Sequence, residues 1–368
     1  MLWAQWLAGG RPACPAHTAA GPRHKALAVA RGAPHIHRMP PLRLLFLGSD
    51  PIALPVLEYL AGAGRELATL VAVYTQPDRP HGRGQKVVPG PIKEWAQAHG
   101  LPVYQPERLG PADTARVRDL GVDAALVMAF GQLLKDDFLA APPSGVFNLH
   151  TSLLPQYRGA CPATVAIASG DGETGVTFMR VVRKLDAGAI VDQERVPIGA
   201  HETTASLEAA LGVAAVPLTA RCLAALRAGT LAAREQDESA VSYCRRLAKT
   251  DGVLDFSRPA AELARRINAL MPWPGCAVEI GGVLVKLGLA EAAEGGGAAP
   301  GTVLAPEGDA LPVATGEGTL RLLRLQRPGG KMLPATEFLR GFAVPVGSVL
   351  ASQPMPPLVA REPFPRKS

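Results

Sequence analysis

The sequence predicts an α/β protein in which a doubly wound, mostly parallel sheet is followed by a small C-terminal β-barrel. Short, continuous apolar runs alternate with segments of helical periodicity along the first part of the chain. Apolar residues make up 48% of the 368 residues and charged residues only 19%, so the chain can bury a sizeable core. After about residue 230 the apolar runs shorten and glycines separate them, as in a small barrel.

The first predicted strand covers residues 42–49, LRLLFLGS, a continuous apolar run typical of a strand that is buried on both faces. Ser49 or Asp50 can cap the helix that follows, and Pro51 suits its first turn. Further strands are predicted at 68–75, 124–130 and 145–150, with a short helix at 92–99. An antiparallel extension is predicted at 176–182 and 189–198, followed by a long Ala/Leu-rich helix at about 203–228.

These patterns divide the chain into five segments. They are a leader outside the fold (1–41), an α/β domain (42–230), a linker (231–242), a C-terminal barrel domain (243–350) and a tail (351–368). The barrel domain contains one predicted helix, at about 259–270. The tail is rich in proline, which cannot donate to a strand ladder, and we therefore expect it to be loose.

Most of the net charge lies in the leader. Residues 1–38 contain five Lys or Arg and no acid, which accounts for five of the formal net charge of +6, so the rest of the chain is nearly neutral. Either this segment is untranslated sequence before a start at Met39, or it is an organelle transit peptide. Its many prolines and weak amphipathic periodicity favour a start at Met39, so we expect a cytoplasmic protein, and an organellar one only if residues 1–38 are a transit peptide.

Composition disfavours several classes of protein. No stretch of about 18 apolar residues is free of charge, Gly and Pro, so we do not expect a membrane span. Gly and Pro together fill about a fifth of the chain, which is unlike coiled coils and helical repeats. The five cysteines are widely spaced and form no C-x-x-C pair, which fits neither a disulfide framework nor a zinc site. We expect a reducing environment and no metal.

The end of one predicted strand is unusually polar. Asn148 and His150 are two residues apart, so on a strand their side chains project to the same face. In open α/β sheets the carboxyl ends of strands bind ligands, and an amide beside an imidazole can stabilise an oxyanion while a proton moves. Alternatively, a neighbouring carbonyl satisfies His150 and Asn148 merely ends the strand. Asp186 lies in a turn between two later strands, and no spacing rule links it to His150.

The runs FNLHTSLLPQYRGACP and GDGETGVTFMRVVRKLDAGAIV resemble the folate-dependent formyltransferase family. The resemblance implies that Asn148, His150 and Asp186 are catalytic. It also implies 10-formyltetrahydrofolate as co-substrate without a metal, a Rossmann-like catalytic domain and an OB-like C-terminal domain. The segment that the family uses to bind the folate corresponds to Ser152, Leu153, Leu154 and Pro155.

The acceptor of the formyl group is predicted from the loop TQPDRPHGRGQKVVPGPIK (75–93). It resembles the substrate-entry loop of family members that formylate initiator methionyl-tRNA, with Arg83 as the Arg between two glycines. Cations on a Gly-rich loop can meet phosphate, although the same loop also reads as a solvated surface. The candidate tRNA-binding residues are Arg79, Arg83, Lys86 and Lys93 of this loop, with Arg327 and Lys331 of the C-terminal domain.

The resemblance therefore implies transfer of a formyl group from 10-formyltetrahydrofolate to the α-amine of methionine on initiator methionyl-tRNA, which starts translation. We expect a monomer whose partners are this tRNA and the folate. The alternative enzyme hypothesis is formyl transfer to a small amine such as an amino sugar. A third hypothesis, a protein that binds folate or RNA without turnover, is disfavoured because Asn148, His150 and Asp186 are all present.

Overall fold

The computed structural model describes residues 39–81, 86–306 and 308–365. Positions 1–38 of the predicted leader lie outside the described residues, and so does Arg83. The described residues belong to one compact unit, Met39–Ser368.

The first part of the chain alternates strands and helices, as its apolar runs predict. In chain order the elements are β1 (Leu42–Gly48), α1 (Leu54–Ala61), β2 (Ala68–Tyr74), β3 (Arg79–His81), β4 (Lys86–Val88), α2 (Pro91–Ala98), β5 (Val103–Tyr104), α3 (Pro111–Asp119), β6 (Ala124–Met128), α4 (Asp136–Leu139), β7 (Val146–His150), β8 (Arg158–Gly159), α5 (Pro162–Ser169), β9 (Glu173–Arg180), β10 (Ile190–Pro197) and α6 (Thr204–Arg227). Strands β3 and β4 form a hairpin inside the segment 75–93, which was expected to be a loop.

Seven of these strands form one sheet in the order β10-β9-β7-β6-β1-β2-β5. The five strands from β7 to β5 are parallel, whereas β9 pairs antiparallel with both β7 and β10. The chain runs from β1 through β2 to β5 in one direction, and later from β6 to β7 in the other. The predicted doubly wound sheet with its antiparallel extension is therefore confirmed, and its crevice lies at the carboxyl ends of β1 and β6.

Helices cover both faces of this sheet, so its central strands are buried on both sides. In β1, Leu44 and Phe46 join the core that α1 and α6 cover, while Leu45 and Leu47 join the core on the opposite face. This alternation explains why the strand reads as a continuous apolar run. Asp50 caps the turn after β1, because its Oδ1 accepts a hydrogen bond from Ile52 N at 3.0 Å.

Of the helices in the described part of the chain, α6 alone is long and apolar enough to cross a membrane. Leu207, Leu211 and Leu218 of α6 are buried in the main core. The helix packs against α1 and against strands β9 and β10. The apolar character of α6 is accounted for by its position as a core helix.

The C-terminal part is a curled antiparallel sheet, a half-barrel, wrapped on one helix. Its elements are β11 (Tyr243–Cys244), α7 (Ala260–Ala269), β12 (Cys276–Ile280), β13 (Val283–Ala293), β14 (Leu311–Ala314), β15 (Thr319–Gln326), β16 (Leu333–Pro334), α8 (Ala335–Gly341) and β17 (Val359–Ala360). The sheet order is β12-β13-β15-β14, with β16 also on β15. α5 joins the two parts, because Ala163 and Ile167 enter the core of the parallel sheet and Val165 and Ala166 that of the half-barrel.

The tail expected to be loose is instead held over residues 352–360. Leu358 is buried, and β17 pairs with β11. Arg266 and Arg245 donate hydrogen bonds to the carbonyls of Pro356 and Pro357 at 3.1 and 3.0 Å. Proline lacks an N–H but keeps its carbonyl, so arginine donors can hold a segment that strand pairing cannot.

A small three-stranded sheet, β17-β11-β8, was not predicted from the sequence. It joins the tail, the segment after the predicted linker, and the loop that follows β7. Gly159 lies in β8 with φ of 127°, and a Cβ at this position would come within 2.0 Å of the Cys244 carbonyl oxygen. The glycine therefore permits the close approach of the two backbones.

Candidate active site

Asn148 and His150 lie on β7 at its carboxyl end, on the same face of the strand. The side chain of His150 is only 6% exposed, and its Nε2 lies 2.9 Å from the Tyr157 carbonyl oxygen. Because a carbonyl oxygen only accepts, Nε2 carries a hydrogen and donates it. Nδ1 is then the ring nitrogen that is left to face a second partner.

The second nitrogen of His150 faces a carboxylate. Asp186 Oδ2 lies 3.8 Å from His150 Nδ1, and the Asp186 side chain is 15% exposed. The same oxygen accepts a hydrogen bond from the Gly159 backbone N–H at 2.9 Å. A carboxylate in this position places a negative charge beside the imidazole ring and fixes the orientation of that ring.

The approach of Asp186 depends on how the segment between β9 and β10 folds. β9 ends at Arg180, which pairs with Phe147, whereas His150 pairs with Thr177. The segment therefore leaves the sheet on the Phe147 side of β7, and its carboxylate nevertheless lies beside His150. Asp186 itself has φ of 46°, a left-handed conformation that costs a non-glycine residue about 1 kcal/mol or more.

Asn148 presents an amide that is free to meet a ligand. Its side chain is half-buried, and no described residue hydrogen-bonds to that amide. Its backbone is fixed between Val127 of β6 and Met179 of β9. The amide can therefore donate to a developing oxyanion on the face of β7 that carries His150.

The segment predicted to contact folate is tied to β9 and β10. Thr177 Oγ1 donates to the Ser152 carbonyl at 2.6 Å and accepts from Leu154 N at 3.1 Å. Gln193 Nε2 donates to the Leu154 carbonyl at 3.0 Å. Leu154 packs with Met179 and Ile190 in a small buried cluster. The backbone of this segment is therefore rigid.

Two of the four residues in that segment keep accessible side-chain surface. Ser152 is fully buried, and its hydroxyl donates to the Gln156 carbonyl at 2.6 Å, while Leu154 is also buried. Leu153 and Pro155 are half-buried. The geometry gives Ser152 and Leu154 a supporting position and leaves Leu153 and Pro155 as the side chains able to touch a ligand.

Tyr157 is a site residue that the sequence analysis missed. Its carbonyl fixes His150, its N–H donates to Ser242 Oγ at 2.9 Å, and its hydroxyl donates to Asp171 Oδ2 at 2.6 Å. Burial and the Asp171 carboxylate raise the pKa of the Tyr157 hydroxyl, so it stays a donor. No spacing rule could have found this contact, because it depends on how the loop closes back on β7.

The predicted tRNA-binding cations differ in exposure: one of those with a described side chain is mostly buried, and three are exposed. Lys93 is mostly buried and paired with Asp78, Nζ to Oδ2 at 2.5 Å, which lowers the pKa of that carboxyl. Arg79 is 60% exposed although it pairs with Glu107, and Arg327 and Lys331 are exposed on the half-barrel. Lys86 begins β4, and Arg83 lies outside the described residues.

No cluster of three or more His, Cys, Asp or Glu side chains suited to a metal ion occurs within 39–81, 86–306 and 308–365. The four described cysteines are free thiols. Burial raises the pKa of Cys244 and Cys276 to about 12, so these thiols stay protonated.

Comparison with known proteins agrees with this architecture. The family model described as formyl transferase matches residues 42–218, and the one described as formyl transferase, C-terminal domain, matches residues 246–343. The parallel sheet with its polar strand end and the following half-barrel are thus those of a formyl transferase.

Among formyl transferases, the curated relatives of this chain are methionyl-tRNA formyltransferases. The methionyl-tRNA formyltransferase of Ectopseudomonas mendocina is 43% identical over 293 residues, covering 79% of this chain and 92% of that protein. That of Bordetella petrii is 42% identical over 316 residues, covering 83% and 98%. The chain belongs to the methionyl-tRNA formyltransferase family.

Solved structures share the fold at lower identity. The N-formyltransferase from Helicobacter canadensis, in complex with folinic acid and dTDP-3-aminofucose, has a TM-score of 0.59 at 17% identity and covers 78% of this chain and 99% of that one. HypX from Aquifex aeolicus, in complex with tetrahydrofolic acid, has a TM-score of 0.52 at 18% identity and covers 81% and 47%. These likenesses establish the fold alone.

Proposed function

We propose that this protein transfers the formyl group of 10-formyltetrahydrofolate to the α-amine of methionine on initiator methionyl-tRNA. The observation that carries the proposal is the pairing of His150 Nδ1 with Asp186 Oδ2 at 3.8 Å, on the strand face that also carries the Asn148 amide, for which the described residues offer no hydrogen-bond partner. Membership of the family supports the acceptor, because the relatives are named for methionyl-tRNA. The residues present fit the folate donor, since Asn148 offers a half-buried amide with no described partner.

In the proposed reaction, the amine nitrogen bonds to the formyl carbon, and the bond from that carbon to the folate nitrogen breaks. The Asn148 amide donates a hydrogen bond to the formyl oxygen as negative charge develops on it. His150, protonated at Nδ1, adds a positive charge beside that oxygen, and Asp186 stabilises the imidazolium. The proton that the amine loses passes to the folate nitrogen as it leaves, with His150 or water as carrier.

The exposed cations support a nucleic-acid acceptor. Arg79 stands on the β3–β4 hairpin, and Arg327 and Lys331 stand at the turn after β15. Contacts from such residues to phosphate position a tRNA without reading its sequence. Lys93 contributes less to binding of phosphate, because the carboxylate of Asp78 already neutralises its charge. Arg83 remains a predicted contact on the strength of the resemblance.

The test is formylation by the full chain supplied with 10-formyltetrahydrofolate and charged initiator tRNA. A parallel reaction contains charged elongator methionyl-tRNA, and His150→Ala serves as the inactive control. Formyl-methionine on the initiator alone supports the proposal. Formylation of an amino sugar with neither tRNA modified would replace it by the small-amine alternative, and binding of folate without any product would remove the enzyme hypothesis.

Several properties remain predictions. The residues supposed to bind the folate and the tRNA, the monomeric state and the absence of a membrane partner follow from sequence and resemblance. Cytoplasmic location depends on a start at Met39, and activity of the chain that begins there would show that residues 1–38 are dispensable. The division into domains at 231–242 also remains a prediction, because α5 contributes to both cores.

A further inference from the structure

The segment that carries Asp186 is held by a side chain from the predicted linker. Gln236 is 8% exposed, and its Nε2 donates to the Asp186 carbonyl and to the Gly188 carbonyl, each at 2.8 Å. Both hydrogens of one amide are therefore used on the two sides of Ala187. One of the two carbonyls belongs to Asp186 itself, whose left-handed backbone needs support to keep its conformation.

The orientation of the Gln236 amide is fixed by a buried arginine. Arg158 is fully buried and donates to Gln236 Oε1 from Nε at 3.0 Å and from Nη2 at 2.7 Å. Because arginine only donates, the oxygen of Gln236 faces Arg158 and the nitrogen faces the two carbonyls. The amide cannot flip without losing four hydrogen bonds.

Arg158 also connects this amide to the carboxylate of Asp186. The next residue, Gly159, donates its backbone N–H to Asp186 Oδ2 at 2.9 Å. Gln236 thus holds the backbone of Asp186 from one side, and its partner Arg158 anchors the strand that holds the carboxylate. Glu238 completes the arrangement by accepting from Arg158 Nη2 and from Lys184 Nζ, each at 2.9 Å.

We propose that Gln236 is a positioning residue for formyl transfer, which keeps the Asp186 carboxylate against His150 Nδ1. The proposal rests on the proposed function, since it assigns Gln236 a part in that reaction. Gln236 acts through Asp186, and among the described residues it makes no hydrogen bond to His150 or to Asn148. Its loss should therefore affect the chemical step more than the binding of either substrate.

The test compares Gln236→Leu with wild type in the full chain. We expect kcat to fall at least about tenfold while KM for folate and for tRNA changes less than about threefold. Asn268→Leu is the matched control, because Asn268 is also a buried amide that clamps backbone, donating to the Ala290 carbonyl and accepting from Ala290 N, each at 2.9 Å. It should lose stability and keep kcat per folded molecule.

A double-variant cycle separates positioning from a general structural effect. In the Asp186→Asn background, Gln236→Leu should lower kcat by less than about threefold, because the charged group that it positions is already absent. A further loss of about tenfold in that background would overturn the proposal. If Gln236→Leu does not fold, Gln236→Glu takes its place, since it keeps an oxygen toward Arg158 and loses the donor to the two carbonyls.

A spectroscopic readout keeps this inference separate from the proposed function. The ¹⁵N chemical shifts of the His150 ring should move in Gln236→Leu in the same direction as in Asp186→Asn, and should stay unchanged in Asn268→Leu. Unchanged His150 shifts in Gln236→Leu would overturn the positioning role whatever the acceptor is. Wild-type protein that formylates no tRNA, yet shows the expected shifts, would refute the proposed function and leave the contact from Gln236 to Asp186 in place.

Discussion

Replacing Asp186 with asparagine is expected to lower the turnover of formyl transfer by about 10²- to 10³-fold. The substitution keeps the size of the side chain and an oxygen that can accept from Gly159 N, and it removes the negative charge beside His150. The variant should therefore fold as the wild type does. Its defect should appear in the chemical step, because the proposed mechanism uses the negative charge of Asp186 beside His150 there.

The magnitude follows from the geometry of the pair. At the 3.8 Å between His150 Nδ1 and Asp186 Oδ2, two unit charges in an effective dielectric of about 20 attract by about 4 kcal/mol. About 1.4 kcal/mol corresponds to a factor of ten in rate, so full loss of the attraction costs about a thousandfold. The amide dipole of the introduced asparagine replaces part of this attraction, so the expected loss of turnover can be as small as about 10²-fold.

The assay is single-turnover formylation of charged initiator tRNA with saturating 10-formyltetrahydrofolate, together with a direct measurement of folate affinity. Asp192→Asn is the matched control, because Asp192 is a half-exposed carboxylate on β10 whose ion pair with Arg221 at 3.0 Å contributes little. It should retain wild-type turnover. Turnover of Asp186→Asn within about threefold of wild type, with folate still bound, would refute the electrostatic role of Asp186.

Three further predictions concern other residues of the site and fold. Asn148→Ala should lower single-turnover formylation at least about 10²-fold, because it removes an oxyanion donor. Gly159→Ala should lower the free energy of unfolding in urea by about 2–4 kcal/mol, since its Cβ would meet the Cys244 carbonyl oxygen at 2.0 Å. Glu208→Gln should stabilise the protein in urea by roughly 2–3 kcal/mol above neutral pH, because burial and Asp50 raise the pKa of Glu208 to about 7.

The pH dependence expected for Glu208 has a definite sign. The folded state holds the proton more tightly than the unfolded chain, so wild-type stability falls as pH rises from 4.5 through about 7. Glu208→Gln removes this fall, and the two proteins should be equally stable below pH 4.5. A constant difference between them at all pH values would contradict the assignment, as would a similar gain from Glu279→Gln, at an exposed position on β12.

For the other two predictions, the contradicting results are equally specific. Near-normal turnover of Asn148→Ala would remove the amide from the mechanism. Wild-type stability of Gly159→Ala would mean that the backbones of β8 and β11 can separate freely. Gly172→Ala provides a control for the glycine substitution, because a Cβ at Gly172 meets no heavy atom within 4 Å.

The main strands of the parallel sheet were predictable because burial on both faces requires a continuous run of apolar residues. The apolar run of β1 reflects cores on both faces, and the strand period of two puts Asn148 and His150 on one face. The resemblance supplied the roles of Asn148, His150 and Asp186, since spacing alone connects nothing across the 36 residues from His150 to Asp186. The proline-rich tail was misjudged because strand propensity carries no information about carbonyls that accept from arginine.

The tertiary structure decided which groups meet. Three contacts of the site join residues through loops whose conformation no local sequence pattern predicts. They are the hydrogen bond from His150 Nε2 to the Tyr157 carbonyl, the pairing of Asp186 with His150, and the hydrogen bond from Gln236 to the Asp186 carbonyl. The sequence by itself determined the order of the elements and the polar end of β7. Hydrogen-bond partners that are far apart in the chain are set by strand register and by the packing of loops on a common core, so a window of neighbouring residues does not specify them.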